Sequence, residues 1–179
     1  MNTLKDVRLL IIEDEPDFAR LIKLSLAHGP NALFEVEIAH NLTDAKRLID
    51  ATRCPCEPGE PLPRRFDVIV TDLCIPPHQG SETVRAVKEM ADGIPVVVLT
   101  AQVDTEIIAD IVRAGAEEFL GKDEVVGSTG IVRLERALRH AIKQGRLREE
   151  MLRGRVYSQT LEQQIEMLQN ALREKNCPI

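Results

Sequence analysis

Residues 66–77 read Phe66-Asp67-Val68-Ile69-Val70-Thr71-Asp72-Leu73-Cys74-Ile75-Pro76-Pro77, and this stretch decides the fold. Val68, Ile69 and Val70 form an apolar, β-branched run that suits a central parallel strand covered on both faces. Asp72 follows almost at once, and Pro76-Pro77 forbids further strand or helix. Asp72 alone carries two readings. It is either a turn-starting residue or a carboxylate at the carboxyl end of a buried strand, where open α/β sheets place their ligands.

Upstream, Val7 to Ile12 is a first strand by its length and branching, and it ends on Glu13-Asp14-Glu15-Pro16. Phe18, Leu21, Ile22, Ser25 and Leu26 then recur at helical spacing until Gly29-Pro30. Phe34 to Ala39 alternates apolar residues with Glu35 and Glu37, a strand with one polar side, and ends in Ala39-His40. Asn41 caps a helix whose apolar face is Leu42, Ala45, Leu48 and Ile49. Residues 52–65 hold four prolines and a glycine, which exclude regular structure. Such a loop is long for an α/β unit; a partner-binding loop and a tolerated surface insertion both fit.

Downstream, Gly80 to Ala91 is a helix with Val84, Val87 and Ala91 on one face. Val96 to Thr100 is the most strand-like run in the chain. Asp104 caps a helix carrying Ile107, Ile108, Ile111 and Val112, closed by Gly115. Glu117 to Leu120 is a short fifth strand, ending at Gly121-Lys122. Strands and helices thus alternate five times, which predicts an α/β fold: a five-stranded, doubly wound parallel sheet. Residues 131–144 add a last amphipathic helix through Leu134, Ala137, Leu138, Ala141 and Ile142.

Composition narrows the class. The 179 residues suit one domain plus an appendage, and 44% hydrophobic with 29% charged residues is an ordinary soluble balance. No apolar run approaches the roughly 20 residues that cross a bilayer, and the N-terminus lacks a signal peptide's apolar core, so no membrane and a cytoplasmic location are expected. The formal net charge of -6 argues against a general nucleic-acid binder. Cys54-Pro55-Cys56 is the one close cysteine pair, with spacing that suits zinc poorly; Cys54, Cys56, Cys74 and Cys177 read as reduced thiols.

The strand ends define a constellation. The first supplies Glu13 and Asp14, the third Asp72, the fourth Thr100 and the fifth Lys122. The second offers nothing acidic. Crowded carboxylates repel, so such a site binds a hard cation or protonates, and Mg²⁺ suits an oxygen-only ligand set. A carboxylate beside Mg²⁺ can attack a phosphoryl group, with Lys122 neutralising charge. No glycine-rich nucleotide loop is present, so the phosphoryl group comes from elsewhere.

From about Val7 to about Gln144 the chain resembles a bacterial two-component response-regulator receiver domain, of flavodoxin-like fold. The resemblance rests on Glu13-Asp14, the Asp72…Pro76…Gly80 loop, Thr100-Ala101, Phe119 and Lys122, in that order. It implies that Asp72 is the phosphoacceptor. It also implies that Glu13, Asp14, Asp72 and the backbone carbonyl of Cys74 hold Mg²⁺. Lys122 would pair with the phosphoryl group, Thr100 would swing to hydrogen-bond it, and Phe119 would turn inward. Gln102 occupies a position that tunes dephosphorylation in the family. The family usually has proline after the lysine, and Asp123 here implies altered loop geometry with activity retained.

The helical pattern continues past the receiver, giving expected domains at 1–144 and 145–179. Leu161, Ile165, Leu168 and Leu172 step by four, three and four, a coiled-coil rhythm that extends back to Ser158, Gly154, Met151 and Leu147. A homodimeric coiled coil is expected; a helix folded on its own receiver is the alternative. About 35 residues leave no room for a DNA-binding output domain or a catalytic domain. The expected function is a stand-alone phosphoacceptor that takes its phosphoryl group from a sensor histidine kinase or histidine phosphotransfer protein. It would signal to a downstream protein partner or through its C-terminal helix. Two alternatives stand beside it. One is a degenerate receiver used for dimerisation. The other is a Mg²⁺-dependent aspartyl-phosphate phosphohydrolase, which would need a second acid where Cys74 stands.

Overall fold

The computed structural model describes residues 7–27, 34–52, 65–101 and 105–175, with backbone alone for 105, 156 and 158–175. Among the described residues five strands and five α-helices alternate: β1 (Val7–Ile12), α1 (Pro16–Ala27), β2 (Phe34–Ala39), α2 (Leu42–Ala51), β3 (Val68–Asp72), α3 (Ser81–Ala91), β4 (Val96–Thr100), α4 (Thr105–Arg113), β5 (Glu118–Gly121) and α5 (Gly127–Lys175). A single 3₁₀ turn, Asp123–Val125, joins β5 to α5. The described chain forms two compact units, Met1–Gly145 and Arg146–Ile179. Among the described residues, no helix is long and apolar enough to cross a membrane.

The sheet is wholly parallel in the order β2-β1-β3-β4-β5. Every residue of β3 and β4 is buried, which is why Val68–Val70 and Val96–Leu99 are apolar without alternation. One face of the sheet carries Leu9, Ile11, Val68, Val70, Val97 and Leu99 against Ile22 and Leu26 of α1 and Leu134, Leu138 and Ala141 of α5. The other face carries Leu10, Ile12, Ile69 and Val96 against Ala45 and Ile49 of α2 and Val87 and Ala91 of α3. Burying each such Ile, Leu or Val contributes about 1.5–3 kcal/mol, so the two-sided strands anchor the fold. Edge strand β2 is the one that alternates. Its Glu37 pairs with Arg8 of β1, whose guanidinium also lies over the Phe66 ring at 4.8 Å.

Local signals set the helix ends. Asn41 Oδ1 accepts from the Asp44 backbone N–H at 2.8 Å, capping α2. Gly80 sits at φ 60 before α3, a conformation that favours glycine, and its N–H donates to the Leu73 carbonyl at 2.9 Å. Two helical faces are narrower than their spacing predicts: Leu21 of α1 and Val112 of α4 point outward, 43% and 57% exposed. Helix α5 begins at Gly127, four residues before the expected start. A Cβ on Gly130 would lie 2.5 Å from the Val125 carbonyl carbon, so the first turn of α5 packs backbone to backbone on the 3₁₀ turn.

Candidate functional site

Strand register assembles the site. Ile12 lies opposite Thr71, so Glu13, just past the end of β1, stands beside Asp72, the last residue of β3. Thr100 lies opposite Gly121, so Lys122 follows directly beyond that pair, and its N–H donates to the Thr100 carbonyl at 2.8 Å. The order of the sheet reverses between β1 and β3, where ligands bind in open α/β folds. Glu13, Asp14 and Asp72 each offer a carboxylate oxygen, and these atoms all lie within 4.8 Å of one another. Glu13 and Asp72 are buried, whereas Asp14 is exposed and opens the cluster to solvent.

Lys122 bridges the two buried carboxylates. Its Nζ donates to Glu13 Oε1 and to Asp72 Oδ2, each at 2.8 Å. Burial pushes the Glu13 carboxyl above its usual value, and the Asp72 charge adds to this against the opposing bond from Lys122. For Lys122, burial alone lowers the ammonium, but the bonds to Asp72 and Glu13 outweigh it and the group ends above the usual lysine value. Lys122 therefore stays charged at neutral pH. A single ammonium against three carboxylates leaves the site net negative, which favours a cation.

The loop after β3 is held in place. The Leu73 N–H donates to Asp72 Oδ1, and the Thr83 hydroxyl donates to the Leu73 carbonyl at 2.7 Å. The carboxylate is thus fixed by backbone and lysine together. The Cys74 residue is exposed, yet partial desolvation, with the Asp72 and Asp14 charges, pushes its thiol up. It is poorly placed to act as a thiolate.

The remaining expected site residues divide. Thr100 is buried at the end of β4 and Ala101 is exposed beside it. Phe119 is half-buried on β5. It packs against the Leu73, Val84, Val98 and Ile111 cluster and borders a cavity of about 530 Å³ lined also by Glu118, Arg136 and His140. Gln102, Asp104, residues 53–64 with Cys54 and Cys56, and Cys177 lie outside the described residues, as do the side chains of Leu161, Ile165, Leu168 and Leu172. Two neighbours of the site were not singled out by sequence. His40 Nδ1 donates to the Glu13 carbonyl at 2.9 Å, so the end of β2 does brace the site. The Phe18 ring lies 4.6 Å from Lys122 Nζ. The signal for Phe18 was its place three residues into the helix that follows the acidic run.

Known proteins resemble this chain in sequence and in fold. The family described as "Response regulator receiver domain" matches residues 9–127. "Two-component response regulator ORR2" of Oryza sativa subsp. indica is 28% identical over 137 residues, covering 65% of this chain and 54% of that protein. "Response regulator protein PilR" of Pseudomonas aeruginosa is 27% identical over 120 residues, covering 67% of this chain and 24% of that protein. The chain spans about half the length of the rice relatives it matches. Among solved structures, a response regulator receiver domain protein from Clostridium thermocellum superposes with a TM-score of 0.60 at 25% identity, over 79% of this chain and 98% of that one. The Vibrio cholerae chemotaxis protein CheY4 gives 0.56 at 23% identity, over 74% of this chain and 98% of that one, a likeness of fold.

Proposed function

This chain belongs to the response regulator receiver domain family, and from that premise we propose that it is a phosphoacceptor of a two-component relay whose acceptor is Asp72. The observation that carries the proposal is the convergence of Glu13, Asp14 and Asp72 with Lys122 at one sheet edge. Membership implies a histidine kinase as partner, and a histidine phosphotransfer protein would serve the same chemistry.

Three carboxylate oxygens within 4.8 Å form the hard, oxygen-only donor set that Mg²⁺ takes. Glu13, Asp14 and Asp72 would hold it, with the Cys74 carbonyl as a further ligand. When bound, Mg²⁺ supplies charge neutralisation for the incoming phosphoryl oxygens. In the transfer, a carboxylate oxygen of Asp72 forms a bond to phosphorus as the P–N bond to the donor imidazole breaks. The electron pair stays on the imidazole nitrogen, which takes a proton. Lys122, already on Asp72 and held protonated by its carboxylate partners, neutralises the charge on the transferred group. Thr100 then hydrogen-bonds a phosphoryl oxygen and Phe119 turns inward, a two-state change triggered by new charge. Gln102 tunes hydrolysis. The output passes to a protein partner or through α5, whose 145–179 portion pairs with a second copy.

The test is uptake of phosphoryl from a small phosphodonor with Mg²⁺, read by intact mass. Wild type gains one phosphoryl group and Asp72→Asn none. Equal uptake by both would overturn the assignment.

A further inference from the structure

Lys122 has a third neighbour besides its two carboxylates. Phe18, near the start of α1, is half-buried against the α1/α5 side of the core, and its ring lies 4.6 Å from the Lys122 ammonium. The negative π-face attracts the cation without occupying any of its hydrogen bonds as a carboxylate does. The ammonium is 2.8 Å from both Glu13 and Asp72, so groups from α1, from the end of β3 and from the turn after β1 converge on one nitrogen. Only the ring among them is uncharged.

We propose that Phe18 is a positioning residue for Lys122: its ring holds the ammonium beside Asp72, ready to bond the phosphoryl oxygens. This rests on the reading of Asp72 as the phosphoacceptor. Once Asp72 forms its bond to phosphorus, the carboxylate that held Lys122 changes its charge distribution, and the ammonium must move to a phosphoryl oxygen. The contact with Glu13 alone would draw it toward β1. The ring is attached to α1 and is untouched by the transfer, so it keeps the ammonium near the site while its acceptor changes. A ring face tolerates small shifts of a cation far better than a directional hydrogen bond does.

The test uses the full chain and two variants, Phe18→Leu, which keeps apolar bulk and loses the ring, and Phe18→Tyr, which keeps the ring. The first measurement is Mg²⁺-dependent beryllofluoride affinity. It is expected to fall about threefold to tenfold in Phe18→Leu, between the values of an exposed and a fully desolvated cation–π contact, and to stay within about twofold of wild type in Phe18→Tyr. The second is NMR of the Lys122 ε-methylene protons in the free protein. They are expected to be shifted upfield by the ring in wild type and to lose that shift in Phe18→Leu. Wild-type affinity in Phe18→Leu, an equal loss in both variants, or an unshifted Lys122 in wild type each overturns the proposal. The NMR measurement on wild type needs no variant to fold. Wild type that takes no beryllofluoride marks a different failure, that of Asp72 as acceptor, and the positioning role falls with it.

Discussion

Lys122 and Asp72 stand fifty residues apart in the chain, yet the lysine Nζ lies 2.8 Å from the carboxylate Oδ2. The sheet creates this contact. Each partner sits at the carboxyl end of a parallel strand, and the two strands flank β4. Asp72 faces two constraints at once, since the backbone N–H of Leu73 holds its other oxygen. A carboxylate fixed in this way presents a defined direction of attack, at the cost of holding like charges from Glu13 and Asp14 nearby.

Removing the acid of Asp72 separates the chemistry from the fold. Asp72→Asn keeps the shape and one carbonyl acceptor, enough for Leu73 or Lys122 but not both, and it lowers the crowding of negative charge. Thermal denaturation is expected to leave this variant as stable as wild type or more so, while phosphoryl uptake is lost. A strongly destabilised Asp72→Asn would mean that the carboxylate is a structural anchor.

Asp14 tests the metal. It is the exposed member of the carboxylate cluster. Asp14→Ala is expected to weaken Mg²⁺ binding at least about tenfold, as loss of a directly ligating charge does, with stability changed by less than about 1 kcal/mol. Titration by NMR or calorimetry reads both numbers, and unchanged Mg²⁺ affinity would remove Asp14 from the ligand set.

Stability should fall as pH rises in two windows. Glu13 has a folded pKa above its usual 4.5, so between those values the folded protein keeps a proton that the unfolded chain has lost. Its contribution to stability is present at low pH and declines as pH rises from 4.5 through the raised value. Lys122 behaves likewise at the alkaline end: its contribution is complete below 10.5 and is lost as pH rises through the higher folded value. Urea denaturation across pH, in Mg²⁺-free buffer, should show the acidic decline in wild type and a smaller one in Glu13→Gln. A rise in wild-type stability attributable to Glu13 over that window would reverse the sign.

Much of this was legible in sequence, and the reasons differ by residue. Asp72, Glu13, Asp14 and Lys122 could be placed because each follows an apolar run directly, and a parallel sheet brings such ends together. The pairing of Lys122 with Glu13 was not legible, since it depends on register and on the turn after β5. Asp123 opens a 3₁₀ turn after Lys122 where the family usually has proline. The helix faces were read too broadly at Leu21 and Val112, because spacing marks a stripe and cannot say how wide the covering layer is. The start of α5 was missed because Gly127 and Gly130 interrupt any apolar period, yet Gly130 is there for a close backbone approach.

The ion pair between Lys88 and Glu117 clamps α3 to the turn before β5. Lys88 Nζ lies 3.0 Å from Glu117 Oε1, and the two side chains are 21% and 3% exposed. Glu117 also accepts from the Val96 N–H at 2.6 Å, which ties it to β4. Lys88→Met strands a buried charge and should cost about 2–4 kcal/mol, whereas Lys46→Met on exposed α2 should cost less than about 1 kcal/mol. Adding Glu117→Gln to Lys88→Met should recover part of the loss. Equal small effects at both lysines would show that the Glu117 site is well hydrated.

The 145–179 portion continues α5 beyond the sheet-forming segment. Its backbone is helical through Lys175. Leu161, Ile165, Leu168 and Leu172 alternate steps of four and three, which places them along one seam of a two-stranded coil. Gly154 and Ser158 weaken the seam upstream, and just under two sound heptads make a coil of modest stability. The full chain should therefore sediment as a dimer that dissociates on dilution. Ile165→Asp should be a monomer at every concentration and still take up phosphoryl on Asp72, because the seam lies in a different unit from the site. Wild type that stays monomeric at high concentration would exclude the pairing. A dimer that survives Ile165→Asp would assign it to another surface.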